Sequence, residues 1–187
     1  MALQVFWKSG FEAASMGDLT DAMGITSPSL YAAYGSKEAL FLEALQHYRT
    51  HYAQAMLDVL YSAENAAGGL SAMFETAIDL FTRADRPHGC MVVLAEAGNA
   101  PASGTARQIL SGLRLQRSDE IAARLQLDVS AGHLHLKLPV QPLADMYAAL
   151  LQGIAVAARD GTPRNRLSAL YKPAILLLIE PKNINWL

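Results

Sequence analysis

The chain has 187 residues, of which 52% are apolar and 17% charged, with a formal net charge of −2. That balance describes a globular chain of one large or two small domains and excludes a disordered one. No apolar run reaches the roughly 18 residues of a membrane span. The start, MALQVFWKSG, lacks the basic-then-apolar order of a signal peptide, and the lone Cys90 excludes an internal disulfide framework and suits a reducing compartment.

The first predicted helix covers 2–9, with Val5 and Phe6 facing inward and Gly10 as its stop. Ser15 then offers a capping hydroxyl, and Asp18, three residues on, suits the N-terminal end of a second helix. Leu19, Ala22 and Met23 give that helix an apolar stripe, Gly24 ends it, and Ile25 plugs the turn. Thr26 or Ser27 caps a third helix, and Pro28 fits its first turn, where no amide donor is needed. Leu30 and Tyr34 face inward, leaving Ser29 and Ala33 outward. Gly35 closes this helix and Ser36 caps a fourth, which opens at Lys37. Two helices of about two turns around a glycine turn have the form of a helix-turn-helix, whose second helix reads the DNA major groove.

The fourth helix is predicted over 37–61, where Leu40, Phe41, Ala44, Leu45, Tyr48, Tyr52 and Met56 recur at three and four. About 25 residues span roughly 37 Å, enough to leave the first unit and enter a second domain. Residues 65–69, NAAGG, read as a linker, and a helix follows over 70–83. A short buried helix is expected over 90–97, then a longer one over 102–127 carrying Arg107, Arg114, Arg117 and Arg124 away from its apolar face. His133 to Leu138 alternates like a strand but stands alone before Pro139, so it reads as an extended connector. The last two long helices are predicted over 143–159 and from Pro163 to 179, the latter capped by Thr162.

Three stretches carry a longer pattern: Gly10-Phe11-Glu12-Ala13-Ala14-Ser15-Met16, Gly24-Ile25-Thr26-Ser27-Pro28-Ser29-Leu30-Tyr31 and Tyr34-Gly35-Ser36-Lys37-Glu38-Ala39-Leu40. In order and spacing, residues 1–50 closely resemble the tetracycline-repressor (TetR) family of bacterial transcription regulators; the rest matches that family in layout. The resemblance implies an all-α fold of about nine helices, with an N-terminal three-helix helix-turn-helix DNA-binding domain over 1–46. A helical ligand-binding and dimerisation domain follows over 47–187. The family carries a basic arm before its first helix, so residues upstream of Ala2 are expected to be missing from this numbering.

By resemblance, Thr26, Ser27 and Ser29 sit near base edges, Pro28 can lie on a thymine methyl, and Tyr31 and Lys37 reach phosphates. Ala32, Ala33 and Gly17 replace longer side chains frequent in the family, so specificity would lean on close fit and DNA shape. The last two long helices are apolar on more than one face, and small residues such as Ala148, Ala149, Gly153 and Ala157 allow close approach. The resemblance implies that these two helices form the interface of a twofold homodimer on a palindromic operator, which their composition suits. A small apolar or amphipathic effector is implied, with Phe74, Phe81, Met91, Glu96, Asn99 and Tyr147 as the candidate pocket.

The expected function is a dimeric, cytoplasmic, ligand-responsive repressor of double-stranded DNA, with no cofactor and no metal. An enzyme is not expected. His133 and His135 lack a completing Cys or carboxylate cluster, and Cys90 beside His88 lies in an apolar run that suits an inert thiol. Phosphate-loop and dinucleotide glycine patterns are absent. The alternative is a helical ligand- or protein-binding sensor without DNA binding, which the charge favours: residues 1–50 hold Lys8, Lys37 and Arg49 against Glu12, Asp18, Asp21, Glu38 and Glu43.

Overall fold

Local capping sets the first helices. The structure, a computed structural model, describes residues 1–95 and 104–179. Helix α1 (Ala2–Ala13) is broken at Gly10, whose φ of 78° and ψ of 175° lie outside any helix. A Cβ there would stand 2.9 Å from the Ala95 carbonyl oxygen, which accepts the Phe11 N–H at 3.4 Å. Helix α2 (Met16–Met23) starts with a full capping box: Ser15 Oγ accepts the Asp18 N–H at 3.0 Å, and Asp18 Oδ2 accepts the Ser15 N–H at 3.0 Å. Gly24 ends α2 with φ 66°. Helix α3 (Ser27–Tyr34) takes Thr26 as its cap and carries Pro28 in its first turn. Phe6, Phe11 and Phe41 form the core of this unit, with Phe41 centred 5.2 Å from Phe6 and 5.0 Å from Phe11. Ala14, Leu19 and Leu30 complete it at 0% exposure. Each large buried side chain contributes about 1.5–3 kcal/mol, so a few residues hold the unit together.

Helix α4 covers 37–62 but is not uniform: Lys37–Tyr48 is α-helical, Arg49–Ala53 makes a π turn, and Gln54–Ser62 is α-helical again. Apolar periodicity does not reveal such a turn, which accommodates one extra residue in the helix. The expected linker at 65–69 is instead the cap and first turn of α5 (Ala66–Thr82). Asn65 Oδ1 accepts the Gly68 N–H at 2.8 Å. A Cβ on Gly69 would lie 2.5 Å from the Leu60 carbonyl oxygen, so this glycine lets α4 and α5 touch rather than separating them.

Helix α5 is the centre of the second layer. Gly69, Leu70, Met73, Phe74, Ala77, Ile78, Leu80 and Phe81 are buried against α4, α7 (Gly104–Ser130), α8 (Val140–Arg159) and α9 (Arg164–Ile175). The short α6 (Met91–Leu94) precedes α7, and a 3-10 turn (Leu176–Leu178) follows α9. Thr162 does not cap α9: its N–H donates to the Ala157 carbonyl at 2.9 Å, and Pro163 occupies the cap position. Nine α-helices and no strand are present among the described residues, and the His133–Leu138 alternation is a connector between α7 and α8. The fold is all-helical, with the N-terminal helix-turn-helix arrangement read from the sequence.

Candidate nucleic-acid interface and effector cavity

Helix α3 is short, and only Leu30 among its residues is fully buried. Ser27, Pro28, Ser29, Tyr31, Ala32 and Ala33 are exposed, as is the capping Thr26, so one turn of polar and small side chains faces outward. The cap engages two of the predicted base-reading hydroxyls: Thr26 Oγ1 lies 2.9 Å from Ser29 Oγ and accepts the Ser29 N–H at 3.4 Å. Tyr31 keeps 50% of its surface exposed. The whole helix, SPSLYAAY, is uncharged.

Lys37 sits at the start of α4 and is half-buried. Its ammonium donates to the Glu12 carbonyl at 3.3 Å and lies 4.8 Å from the Phe11 ring centroid. An ammonium has three donors, so these contacts orient Lys37 without exhausting it. Thr26, Ser27, Pro28, Ser29 and Tyr31 are thus each exposed on α3 and its cap, with Lys37 at the next helix start.

A partly open cavity of about 150 Å³ lies between α4, α5, α6, α7 and α8. Phe81, Val93, Leu113 and Leu151 supply apolar wall, and the π turn contributes Arg49, Thr50 and Ala53. Tyr48 and Cys90 close one side, with the Tyr48 hydroxyl donating to Cys90 Sγ at 3.4 Å. Burial pushes the Tyr48 phenol well above its usual range, so it stays a donor. Arg114, Gln116, Arg117 and Glu120 come from α7. Arg114 Nη1 donates to the Val92 carbonyl at 3.4 Å, and Gln116 Nε2 donates to Glu120 Oε1 at 2.9 Å. Arg117 Nη1 lies 3.2 Å from Glu120 Oε2, an ion pair in which that buried nitrogen makes no aligned hydrogen bond. A broader surface cleft of about 390 Å³ borders Trp7, Lys8, Pro87, His88, Leu94 and Arg159. The smaller cavity is the better ligand site because an apolar wall and several polar side chains meet in it.

Of the residues expected to form the pocket, Phe81 alone lines this cavity among those described. Phe74 is buried elsewhere, its ring stacked on Tyr171 at 4.9 Å. Tyr147 is buried, with its hydroxyl donating to the Ala174 carbonyl at 2.8 Å. Met91 is buried in α6 without lining the cavity. Glu96 and Asn99 lie outside the described residues. The cavity's polar set was missed because it comes from Tyr48, the π turn and the arginines of α7. The available signal was the i, i+3, i+6 spacing of Arg114, Arg117 and Glu120 on one face of a helix.

The two regions are joined through Trp7. Its indole N–H donates to the Gly89 carbonyl at 3.0 Å, and its ring meets Tyr48 edge-on at 4.7 Å and Tyr52 at 5.4 Å. Tyr48 thus touches both α1 and the cavity. No group of three or more His, Cys, Asp or Glu side chains placed to hold a metal occurs among the described residues, and no helix there is long and apolar enough to cross a membrane.

The family model described as bacterial regulatory proteins, tetR family, matches residues 1–44. The chain is 28% identical over 167 residues to the HTH-type transcriptional repressor ComR of Escherichia coli (strain K12), covering 89% of this chain and 80% of ComR. It is 29% identical over 166 residues to the HTH-type transcriptional repressor BdcR of the same strain, covering 88% and 79%. Among solved structures it is similar to a cysteine-substituted form of the TetR family transcriptional regulator CifR complexed with 26 bp double-strand operator DNA. That likeness has 39% identity, a TM-score of 0.88 and coverage of 94% of this chain and 92% of CifR. With identity at that level along nearly the whole length of both chains, and with capped α2 and α3 disposed as a helix-turn-helix, the chain belongs to the TetR family of bacterial transcriptional regulators.

Proposed function

We propose that this chain is a cytoplasmic repressor that binds a palindromic operator as a homodimer and releases it when a small molecule fills the cavity. The observation that carries the reading is the exposure of α3, with Tyr31 half in solvent and Lys37 at the start of the next helix. The similarity to CifR, which is complexed with operator DNA, supports the same use of that face. In this reading 1–46 is the DNA-binding domain and 47–187 the regulatory domain. Thr26, Ser27, Pro28 and Ser29 approach base edges, while Tyr31 and Lys37 hold phosphates.

Dimerisation through α8 and α9 is supported by apolar groups left at the surface: Met146 on α8, Leu170 on α9, and Leu176 and Leu177 beyond it are each more than a third exposed. A twofold dimer sets its recognition helices about 34–36 Å apart, one helical turn of DNA. Occupation of the cavity presses on Tyr48 and the π turn, shifts α4 and changes that spacing. Operator weakens effector by the same factor that effector weakens operator.

The test is sedimentation velocity of the chain with and without an operator duplex, paired with hydroxyl-radical footprinting. Two chains per duplex and two protected patches one turn apart are expected. A monomer on a single patch would remove the dimer from the reading. The DNA-free sensor is favoured by one observation, the excess of carboxylates over cations in residues 1–50, and it predicts no footprint at all.

A further inference from the structure

The start of α4 carries two neighbouring charges with different partners. Lys37 donates to the Glu12 carbonyl near the end of α1. Glu38 is half-buried and reaches across 68 residues of chain: its Oε1 accepts the Ala106 N–H at 3.2 Å. Ala106 lies in the first turn of α7 and is 0% exposed. First-turn amides have no acceptor within their own helix, and a buried N–H left unpaired is costly. A carboxylate also suits the positive end of a helix dipole, here that of a 27-residue helix. Glu38 thus caps α7 from another helix.

That cap joins the DNA-binding unit to the regulatory helices. Gly35, which closes α3, is three residues before Glu38. Among the described residues, α1 bonds to the second layer as well, through the Trp7 indole to the Gly89 carbonyl at 3.0 Å and the Phe11 N–H to the Ala95 carbonyl at 3.4 Å. Both of those anchors belong to α1. Two anchors leave a body free to turn about the line through them, and a third on another helix opposes that rotation. Glu38 supplies it from α4. The body of α4 does not make it redundant, because the π turn Arg49–Ala53 interrupts the regular ladder between the two halves of that helix.

We infer that Glu38 is a positioning residue for operator binding: by capping α7 from the first turn of α4, it sets the angle of the helix-turn-helix against the regulatory helices. In a dimer that angle sets the spacing of the two recognition helices. This deepens the homodimer reading above and rests on it. A chain without the contact samples several angles, and an operator of two half-sites accepts one of them. Apparent affinity then falls by the fraction of chains that is competent. A single half-site has no second site to stay in register with, so it does not sense the angle.

The probes are the footprinted duplex and the same duplex cut to one protected patch, each titrated with the full chain. Two variants separate reach from charge. Glu38→Asp keeps the charge but is one methylene shorter; Glu38→Gln keeps an oxygen at the same reach and loses the charge. Glu38→Asp is expected to weaken the full site about threefold to tenfold, the worth of one ordinary hydrogen bond, and to leave the half-site unchanged. It is also expected to tolerate a base pair inserted between the half-sites better than wild type does. Glu38→Gln is expected to keep the wild-type ratio of full-site to half-site affinity, with both raised alike by the lost negative charge. Equal weakening of both duplexes by Glu38→Asp marks a DNA contact or a folding loss and overturns the positioning role. Wild type preferring the full site, with Glu38→Asp keeping that preference in full, removes the positioning role alone. Wild type binding both duplexes equally removes the dimer reading, and the role of Glu38 with it.

Discussion

The Trp7 indole N–H donates to the Gly89 carbonyl at 3.0 Å, across 82 residues of chain. Trp7 is 1% exposed and belongs to the first helix of the DNA-binding unit, whereas Gly89 lies between α5 and α6. Trp7→Phe keeps an aromatic ring near Tyr48 but leaves that carbonyl without its donor. It should cost about 2 kcal/mol, the penalty of an unsatisfied buried group. Urea unfolding followed by circular dichroism reads this as a lower midpoint at unchanged slope.

Tyr31→Phe removes a hydroxyl from a ring that is half in solvent, so stability should stay within about 0.5 kcal/mol. DNA affinity should fall about equally for all sequences, as expected of a phosphate contact. Lys37→Met should do the same and also lower the dependence of log affinity on log salt by about one unit. It will cost some stability as well, because the ammonium bonds the Glu12 carbonyl. A change in operator preference from either variant would instead mark a base contact.

These two residues show what the sequence made readable. Caps are local: Ser15 with Asp18, Thr26 with Ser29, and Ser36 with Ala39 are each three residues apart, and all form. The positions of Tyr31 within α3 and of Lys37 at the start of α4 follow from the same local spacing. What Lys37 bonds does not, since Glu12 is 25 residues away. Gly69 looked like a linker because its partner, the Leu60 carbonyl, is visible only once the helices cross. Phe74 and Tyr147 looked like pocket aromatics, but they pack at the α5–α8–α9 contact, where Tyr171 covers Phe74. The cavity itself is built from five helices and a π turn, and no single periodicity describes it.

Asp128 makes the strongest stability prediction. Its carboxylate pairs with Arg124 at 3.0 Å, with both side chains less than a tenth exposed, and accepts the Ala66 N–H at the start of α5. Arg124 Nη2 also donates to the Ala63 carbonyl at 3.2 Å, so the pair clamps the α4–α5 corner. Asp128→Ala strands a buried guanidinium and should cost about 3–5 kcal/mol. Thermal unfolding in the absence of DNA measures it.

Alkaline pH should loosen the α5–α9 contact. Burial, and then the hydrogen bond and charge of Glu75, push the Tyr171 phenol up to about 12, above its ordinary value near 10. The folded chain therefore holds this proton more tightly than the unfolded chain. The stabilisation is complete below pH of about 10 and is lost as pH rises towards 12. Tyr171→Phe should flatten the fall in unfolding free energy over that window, measured by urea titrations at successive pH values. Buried Tyr48 and Tyr147 are raised as well, so a residual slope will remain.

Sequence-selective, ion-dependent grip on DNA through α3 is the central claim. Fluorescence anisotropy of the full-length protein on labelled DNA from upstream of its own gene, against a scrambled duplex and at several salt concentrations, tests it most directly. Preferential binding to the upstream DNA that weakens steeply with salt, and that drops on Tyr31→Phe, is the predicted result. Equal or absent binding to both duplexes across the salt series, in protein that is folded and dimeric, would contradict it.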